Sequence, residues 1–138
     1  NFRILPGDTR EGVMQHVHGA VDAAVPADHL KLEALPGAKE ASKVAPTGSA
    51  QYQVLNQTIR EVFPDALVAP GLMVAGTDSV HYEPISDHIF KFSPIRAQSD
   101  DLTRFHGTNE RISVKHYADA IRFYHRLIGQ MAAARPGA

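Results

Sequence analysis

The chain has 138 residues, 43% of them hydrophobic, which is enough material for one globular domain with an apolar core. Its 14 basic and 15 acidic residues give a formal net charge of −1, so it lacks the basic excess with which proteins bind nucleic acid or an anionic membrane surface. It contains no cysteine, so a disulfide framework and a thiolate metal site are excluded, and any metal would be held by His, Asp or Glu.

The first part of the chain, residues 1 to 37, is predicted to form a strand, a helix and a second strand. Apolar and polar residues alternate from Phe2 to Leu5 and stop at a Pro-Gly pair, a pattern typical of a short strand before a turn. Asp8 is the candidate N-cap of the helix that follows, with Glu11 at the capping-box position. Alternation resumes from His29 to Leu35 and ends at a second Pro-Gly pair, which predicts the second strand.

The middle of the chain begins with a connection and continues with a helix and two strands. Residues 38 to 48 lack apolar periodicity and are rich in Ala, Lys, Ser, Pro and Gly, which indicates a linker. Ser49 is the candidate N-cap of a helix that ends before Pro64. The apolar run at residues 66 to 75 is predicted to be a buried strand, and residues 89 to 92 a further short strand.

The last part of the chain combines a long polar loop, residues 93 to 109, with a helix from about Ser113. Apolar residues recur along this helix at spacings of four and three, which predicts one buried face that contains Tyr117, Ile121, Tyr124 and Ile128. Strands that alternate with helices indicate an α/β fold with a largely parallel sheet, whose ligands gather beyond the carboxyl ends of the strands. No apolar run approaches the roughly 20 residues that span a bilayer.

The sequence GTDS at residues 76 to 79 directly follows the predicted buried strand. Backbone amides, a hydroxyl and a carboxylate at a strand end would suit an anionic ligand, if a helix begins there. The alternative is a glycine turn followed by a Thr or Asp N-cap, which is the commoner use of these residues. Local pattern alone therefore leaves both interpretations open.

His106 lies in the polar loop, within the sequence RFHGTNER. A neutral imidazole is the commonest protein ligand for zinc, Gly107 allows close backbone approach, and Asn109 and Glu110 are near enough to orient the ring. The alternative is a histidine on a surface loop, because a catalytic zinc site in most cases needs three protein ligands. The residues by themselves do not decide between the two.

Four segments occur in an order that is more specific than any one of them: NFRILPGDT at residues 1 to 9, GTDS at 76 to 79, FSPI at 92 to 95 and HGTNE at 106 to 110. With them the chain resembles the carboxypeptidase S and N-acyl-amino-acid hydrolase branch of the di-zinc aminoacylase and carboxypeptidase family. The resemblance covers nearly all of the chain and places it in the C-terminal portion of such a protein, with the true start upstream of Asn1.

The resemblance implies a specific domain organisation. Residues 1 to 37 would be the second half of a ferredoxin-like lid domain that often mediates dimerisation, and residues 38 to 138 the C-terminal part of a catalytic α/β domain, a mostly parallel sheet flanked by helices. His106 would ligate one zinc ion. Arg3, Gly76 and Thr77 would face the substrate, and the two loops that carry Thr77 and His106 would share one edge of the sheet.

The reaction implied by the resemblance is hydrolysis of an amide next to a free carboxylate, in an N-acyl amino acid or a short peptide. Two zinc ions per active site would act on water together with a glutamate general base. That glutamate and the remaining metal ligands would belong to the missing N-terminal portion of the same polypeptide. This portion would contain no catalytic residue, and by itself it would be inactive.

One departure from the family pattern concerns residue 80. The family commonly has a basic residue after the Thr-Asp-Ser turn, where it can pair with a substrate carboxylate, whereas this chain has Val80. Arg96 is the candidate substitute. The alternative function is a non-catalytic α/β binding or dimerisation module in which residues 1 to 37 mediate self-association.

Overall fold

The computed structural model describes residues 1 to 26 and 28 to 134. Within these ranges the helices are α1 (Arg10–Asp22), α2 (Ala50–Val62), a 3₁₀ helix (Asp78–Tyr82), α3 (Ser99–Leu102) and α4 (Val114–Ala133). The chain divides into two compact units, the first made of Asn1–Ala45 with Leu72–Ile89 and the second of Pro46–Gly71 with the chain from Phe90 onward. These units follow from contacts within this chain, so the lid and catalytic domain boundaries implied by the resemblance stay a prediction.

The predicted α/β fold with a mostly parallel sheet is wrong, because the described residues contain no β-strand. Alternation of apolar and polar residues shows which side chains could share a face, but a strand exists only when its backbone pairs with a neighbour about 4.7–4.9 Å away. Within residues 1 to 26 and 28 to 134 the predicted strands have no such neighbour. Leu67, in the supposedly buried run at residues 66 to 75, is 97% exposed. Of the elements predicted in residues 1 to 37, the described residues form only the helix α1, and self-association through this segment stays a prediction.

Local capping chemistry explains where the helices begin. Thr9, Ser49 and Ser113 are the N-caps of α1, α2 and α4, and each side-chain oxygen accepts a hydrogen bond from the backbone N–H three residues further on. The last two starts confirm the sequence prediction. The predicted cap Asp8 is wrong by one residue, because its backbone N–H closes the preceding turn on the carbonyl of Leu5 at 3.0 Å.

Polar contacts connect α1 and the segment at residues 72 to 89 to the chain that precedes α2. The backbone N–H of Arg10 donates to Oε2 of Glu40 at 3.0 Å, and its guanidinium donates to the carbonyl of Ala38 at 3.3 Å. Lys43 Nζ donates to Oδ1 of Asp87 at 2.9 Å. All five residues belong to the first unit, which is therefore assembled from two separated stretches of sequence.

The core of the second unit lies between α2 and α4. Leu55, Ile59 and Phe63 from α2 and its C-terminal end surround Phe123 of α4, which is 1% exposed. The Phe123 ring lies 6.3 Å from the Phe63 ring and 5.2 Å from the Phe92 ring, centroid to centroid. Burial of these side chains away from water is the main force that holds the two helices together.

The buried face of α4 is not the predicted one. Tyr117, Ile121, Tyr124 and Ile128 are between 47% and 66% exposed, so the prediction that they form the core is wrong. Phe123 is buried in the core instead, and Leu127 is partly buried against the same core. The reason is that α4 is apolar on two sides, and a spacing of three and four residues is satisfied equally by either stripe. Only the partner α2 decides which stripe is covered.

A hydrogen-bonded network connects α2 to α4 beside this core. A hydrogen bond between the side chains of the fully buried Thr58 and of Gln130 joins the two helices. Gln130 Nε2 also donates to Glu61 Oε2 at 2.9 Å. Arg126 forms an ion pair with the same Glu61 carboxylate. Hydrogen bonds from Arg126 and Gln57 lower the pKa of Glu61 from 4.5 to about 2.

We expect the second unit to lose stability in acid through Glu61. Because the folded-state pKa is the lower one, the carboxylate stabilises the fold fully above about pH 4.5, and this contribution disappears as the pH falls toward about 2. Glu61→Gln should therefore be less stable than the unchanged chain near neutral pH, and the gap should narrow in acid. Urea unfolding midpoints at about pH 7 and about pH 3 measure this.

The matched control is Glu110→Gln, which makes the same change at an exposed glutamate outside the helix pair. It should leave the acid dependence of the midpoint unaltered. A gap between Glu61→Gln and the unchanged chain that stays constant across this pH range would show that the Glu61 carboxylate does not contribute as proposed.

Candidate functional site

The four residues to which the resemblance assigns roles lie in the two units. Arg3, Gly76 and Thr77 belong to the first unit and His106 to the second, and all four are exposed. The described residues contain no sheet, so the expectation that the loops of Thr77 and His106 share a sheet edge is wrong. The substrate role of the first three and the metal role of His106 stay predictions.

The turn at residues 76 to 79 is a helix start. Thr77 is the N-cap of the 3₁₀ helix, and its hydroxyl oxygen accepts from the Ser79 backbone N–H at 3.3 Å and lies 2.6 Å from the Ser79 hydroxyl. A Cβ atom at Gly76 would meet no heavy atom within 4 Å, so the local geometry does not require glycine there. The structure thus shows the capping arrangement that was the alternative interpretation of this motif.

The loop that carries His106 starts from the short helix α3. The carboxylate of Asp101 accepts from the Gln98 backbone N–H at 2.9 Å and from the Arg104 guanidinium at 2.8 Å. The Gln98 backbone hydrogen bond and Arg104 both hold the pKa of Asp101 below its ordinary value. Gly107 N–H then donates to the Arg104 carbonyl at 2.9 Å, so a chain of contacts leads from α3 to the residue after His106.

Sequence reasoning missed the part played by Asp101. The signal was present, since Gln98 and Asp101 have the three-residue spacing of a capping box, and the Asp101 carboxylate accepts from the Gln98 backbone N–H in the structure. A carboxylate that is fixed at a helix start and also binds a neighbouring Arg can anchor the loop that follows. The Asp101 carboxylate therefore connects the start of α3 to Arg104, two residues before His106.

His106 itself adopts a left-handed backbone conformation, with φ of 58°, and Asn109 follows with φ of 63°. Few residues other than glycine adopt this region, and asparagine and histidine are both among those enriched in it. The His106 side chain is exposed, and the expectation that Asn109 and Glu110 orient its ring stays a prediction.

The donor set can be tested against the needs of zinc. Within residues 1 to 26 and 28 to 134, no group of three or more His, Asp or Glu side chains could hold a metal ion. An exposed imidazole is a suitable zinc donor, but a catalytic site in most cases needs three protein ligands. Among the described residues His106 therefore does not belong to a complete three-ligand site, and its metal role stays a prediction.

Arg96, the candidate substitute for the missing basic residue at position 80, already has a partner. Its Nη1 and Nη2 atoms donate to the Asp65 carboxylate at 2.7 and 2.5 Å, a bidentate arrangement. The guanidinium also lies 5.3 Å from the centroid of the Phe63 ring. The hydrogen bond from Arg96 lowers the pKa of Asp65 to about 2. Asp65 therefore accepts from two of the five N–H groups of the guanidinium, and a role of Arg96 as a substitute for a basic residue at position 80 stays a prediction.

Replacing Gly107 with Ala should distort the loop of His106. An added Cβ would lie 3.1 Å from the Thr103 carbonyl oxygen and 3.4 Å from that of Arg104, and backbone atoms cannot move aside as a flexible side chain would. We expect a cost on the order of 1 kcal/mol, together with displaced amide signals at residues 103 to 107. Thermal unfolding and NMR of the 138-residue chain measure the two effects.

Gly76→Ala is the matched control, because its Cβ would enter open space. It should change stability by less than about 0.5 kcal/mol. Equal effects of the two substitutions would contradict the steric argument for Gly107.

Comparison with curated proteins finds relatives along nearly the whole chain. It is 36% identical over 128 residues to a probable carboxypeptidase S-like 2 of Dictyostelium discoideum, covering 93% of this chain and 24% of the relative. It is 35% identical over 133 residues to the N-fatty-acyl-amino acid synthase/hydrolase PM20D1.1 of Danio rerio, with coverage of 93% and 24%. For the human N-fatty-acyl-amino acid synthase/hydrolase PM20D1 the identity is 34% over 131 residues, with coverage of 93% and 25%.

The chain spans about a quarter of the length of the curated relatives it matches. No family model matches it, and no solved structure does. Among the described helices, none is both long enough and apolar enough to cross a membrane. The sequence resemblance drawn from four ordered segments is confirmed by these relatives.

Proposed function

We propose that the parent protein is an amide-hydrolysing enzyme. The reason is that the chain belongs to the family of carboxypeptidase S-like proteins and N-fatty-acyl-amino acid hydrolases and matches its C-terminal portion. The bond cleaved would be an amide next to a free carboxylate. The single observation that carries the proposal is identity of 33% to 38% over 93% of the chain with relatives of these two names.

Both names describe compatible chemistry. A carboxypeptidase removes the residue at a peptide C-terminus, and an N-fatty-acyl-amino acid hydrolase splits an acyl group from an amino acid. In both substrates the scissile amide is followed by a carbon that carries a carboxylate. An N-acyl amino acid or a short peptide is therefore the proposed substrate class, and the remainder of the polypeptide would supply the other functional groups.

Within this proposal, His106 and Arg3 have separate roles, one toward the metal and one toward the substrate. His106 would donate an imidazole nitrogen to one of two zinc ions, and its left-handed backbone, held through Gly107 and α3, would position that nitrogen. Arg3, exposed, would offer a guanidinium to the substrate carboxylate. Zinc, when bound, would act as a Lewis acid and lower the pKa of water toward neutral.

The proposal predicts a sharp contrast between the parent protein and this chain. The parent should hydrolyse N-acyl amino acids, lose that activity with a zinc chelator and regain it when zinc is added. The 138-residue chain should show no turnover and only weak zinc binding, because one imidazole is fewer than the roughly three protein ligands of a catalytic site. A hydrolysis assay and zinc calorimetry on both proteins measure this.

Two results would contradict the proposal. One is turnover by the parent that is unaffected by chelation, which would remove zinc from the mechanism. The other is tight stoichiometric zinc binding by the 138-residue chain, or turnover of about 1 to 10³ per second, which would require a complete site within these residues.

A further inference from the structure

The segment at residues 90 to 96 connects the core of the second unit to the loop that carries His106. Phe90 is partly buried against that core, and Pro94 is buried. The segment ends at Arg96, two residues before the N-cap of α3. The chain therefore passes from the core to α3 through Arg96, and whatever holds Arg96 also holds the start of the loop.

Arg96 is held at two points at the C-terminal end of α2. Its guanidinium lies 5.3 Å from the centroid of the Phe63 ring, which is itself buried in the core. Two of its N–H groups donate to the Asp65 carboxylate at 2.7 and 2.5 Å. Asp65 lies in a turn that the Ala66 N–H closes on the Phe63 carbonyl at 2.9 Å. Because a bidentate pair fixes orientation as well as distance, this pair sets the direction in which the chain leaves the core.

The loop is closed on α3 by the carboxylate of Asp101. The backbone hydrogen bond from Gln98 lowers the pKa of this carboxyl, and so do the positive charges of Arg104 and Arg111, which lie on either side of His106. The two ends of the loop therefore lie near the same carboxylate. Helix α3 has four residues, too few to be stable by itself, so its position depends on the segment before it.

We propose that Asp65 is a positioning residue for the His106 loop, because its bidentate pair with Arg96 fixes the segment from which α3 starts. The two side chains are 64% and 42% exposed, and exposed ion pairs contribute little to the stability of a fold. Loss of the pair should therefore leave the α2 and α4 core intact and let α3 and the loop open more often. The consequence for activity rests on the proposed function, whereas the consequence for the loop does not.

The experiment measures hydrogen exchange by mass spectrometry in the parent protein with Asp65→Asn, a nearly isosteric change that removes the charge. Amides at residues 98 to 107 should exchange about two- to fivefold faster, while those of α2 and α4 keep their rates. A residue with only a structural role would speed exchange in both helices as well. In an active parent kcat/KM should fall by about tenfold, the lower end of the range for residues that orient a metal ligand.

Two further variants support the comparison. Arg96→Gln removes the other partner and should give the same pattern of exchange, so misfolding of one variant leaves the other informative. Asp22→Asn is the matched control, because it makes the same substitution in an exposed pair, with His18 on α1. It should leave both the exchange of residues 98 to 107 and the activity unaltered.

Each result decides the proposal. Unchanged exchange at residues 98 to 107 in both variants overturns it, and so does an equal increase across α2 and α4, because the pair then only stabilises the unit. Faster exchange at the loop with unaltered kcat/KM in an active parent also overturns it. Faster exchange confined to the loop, in a parent that lacks hydrolase activity even when unchanged, supports the positioning of the loop by Asp65 and rejects the proposed function.

Discussion

Replacing His106 with Asn in the parent protein should remove most of its amide hydrolysis while leaving the fold intact. Loss of a residue that only orients a metal ligand typically lowers metal affinity or activity by about 10- to 100-fold. Loss of the ligand itself should lower activity further, so we expect kcat/KM to fall by at least about 100-fold. Asparagine is chosen because it tolerates the left-handed backbone at φ of 58°, so the loop keeps its path. Hydrolysis rates, zinc content and circular dichroism together measure the result.

His88→Asn is the matched control, since it makes the same substitution at another exposed histidine. It should retain activity and zinc. Full activity of His106→Asn would reject the metal role of this residue. A loss of activity accompanied by unfolding would instead point to a structural role of the loop.

The largest stability effect is expected from Phe123→Ala. Its ring is the centre of the α2 and α4 core, in contact with the rings of Phe63 and Phe92, and the shortened side chain would leave a cavity. Phenylalanine to alanine changes in a core cost about 3 to 5 kcal/mol. That is a large share of the roughly 5 to 15 kcal/mol that holds a typical domain folded. Urea unfolding followed by circular dichroism measures the free energy of unfolding.

Phe105→Ala makes the same chemical change at an exposed position and should cost less than about 0.5 kcal/mol. A comparable loss in the two variants would contradict the assignment of the core. Because Phe123 was not among the residues predicted to be buried, this pair also tests the corrected face of α4 directly.

Features that depend on a few neighbouring residues could be predicted from the sequence. The starts of α2 and α4 at Ser49 and Ser113 follow from a side-chain oxygen that satisfies an N–H three residues on, which is a local event. The family likewise followed from four ordered segments, because each segment is recognised by its own residues. The Thr77 turn was predicted as one of two alternatives, and the structure shows the capping one.

Features that depend on distant partners could not be predicted. The apolar run at residues 66 to 75 contains no information on whether a second backbone lies beside it. The buried side of α4 depends on α2, since both Tyr124 and Phe123 belong to plausible apolar stripes. The hydrogen bond from Arg96 to Asp65, which lies 31 residues away in sequence, likewise depends on a distant partner.

The first unit is built from two separated stretches of sequence, and this affects the order in which the chain can fold during synthesis. Residues 72 to 89 complete that unit, with the ion pair from Lys43 to Asp87, yet they leave the ribosome only after α2 has been made. A ribosome that adds about 5 to 20 residues per second therefore exposes α2 for seconds before α4 can cover it. Synthesis from the N-terminus cannot finish one unit before it starts the next, and a nascent chain that stops before Asp87 has completed neither.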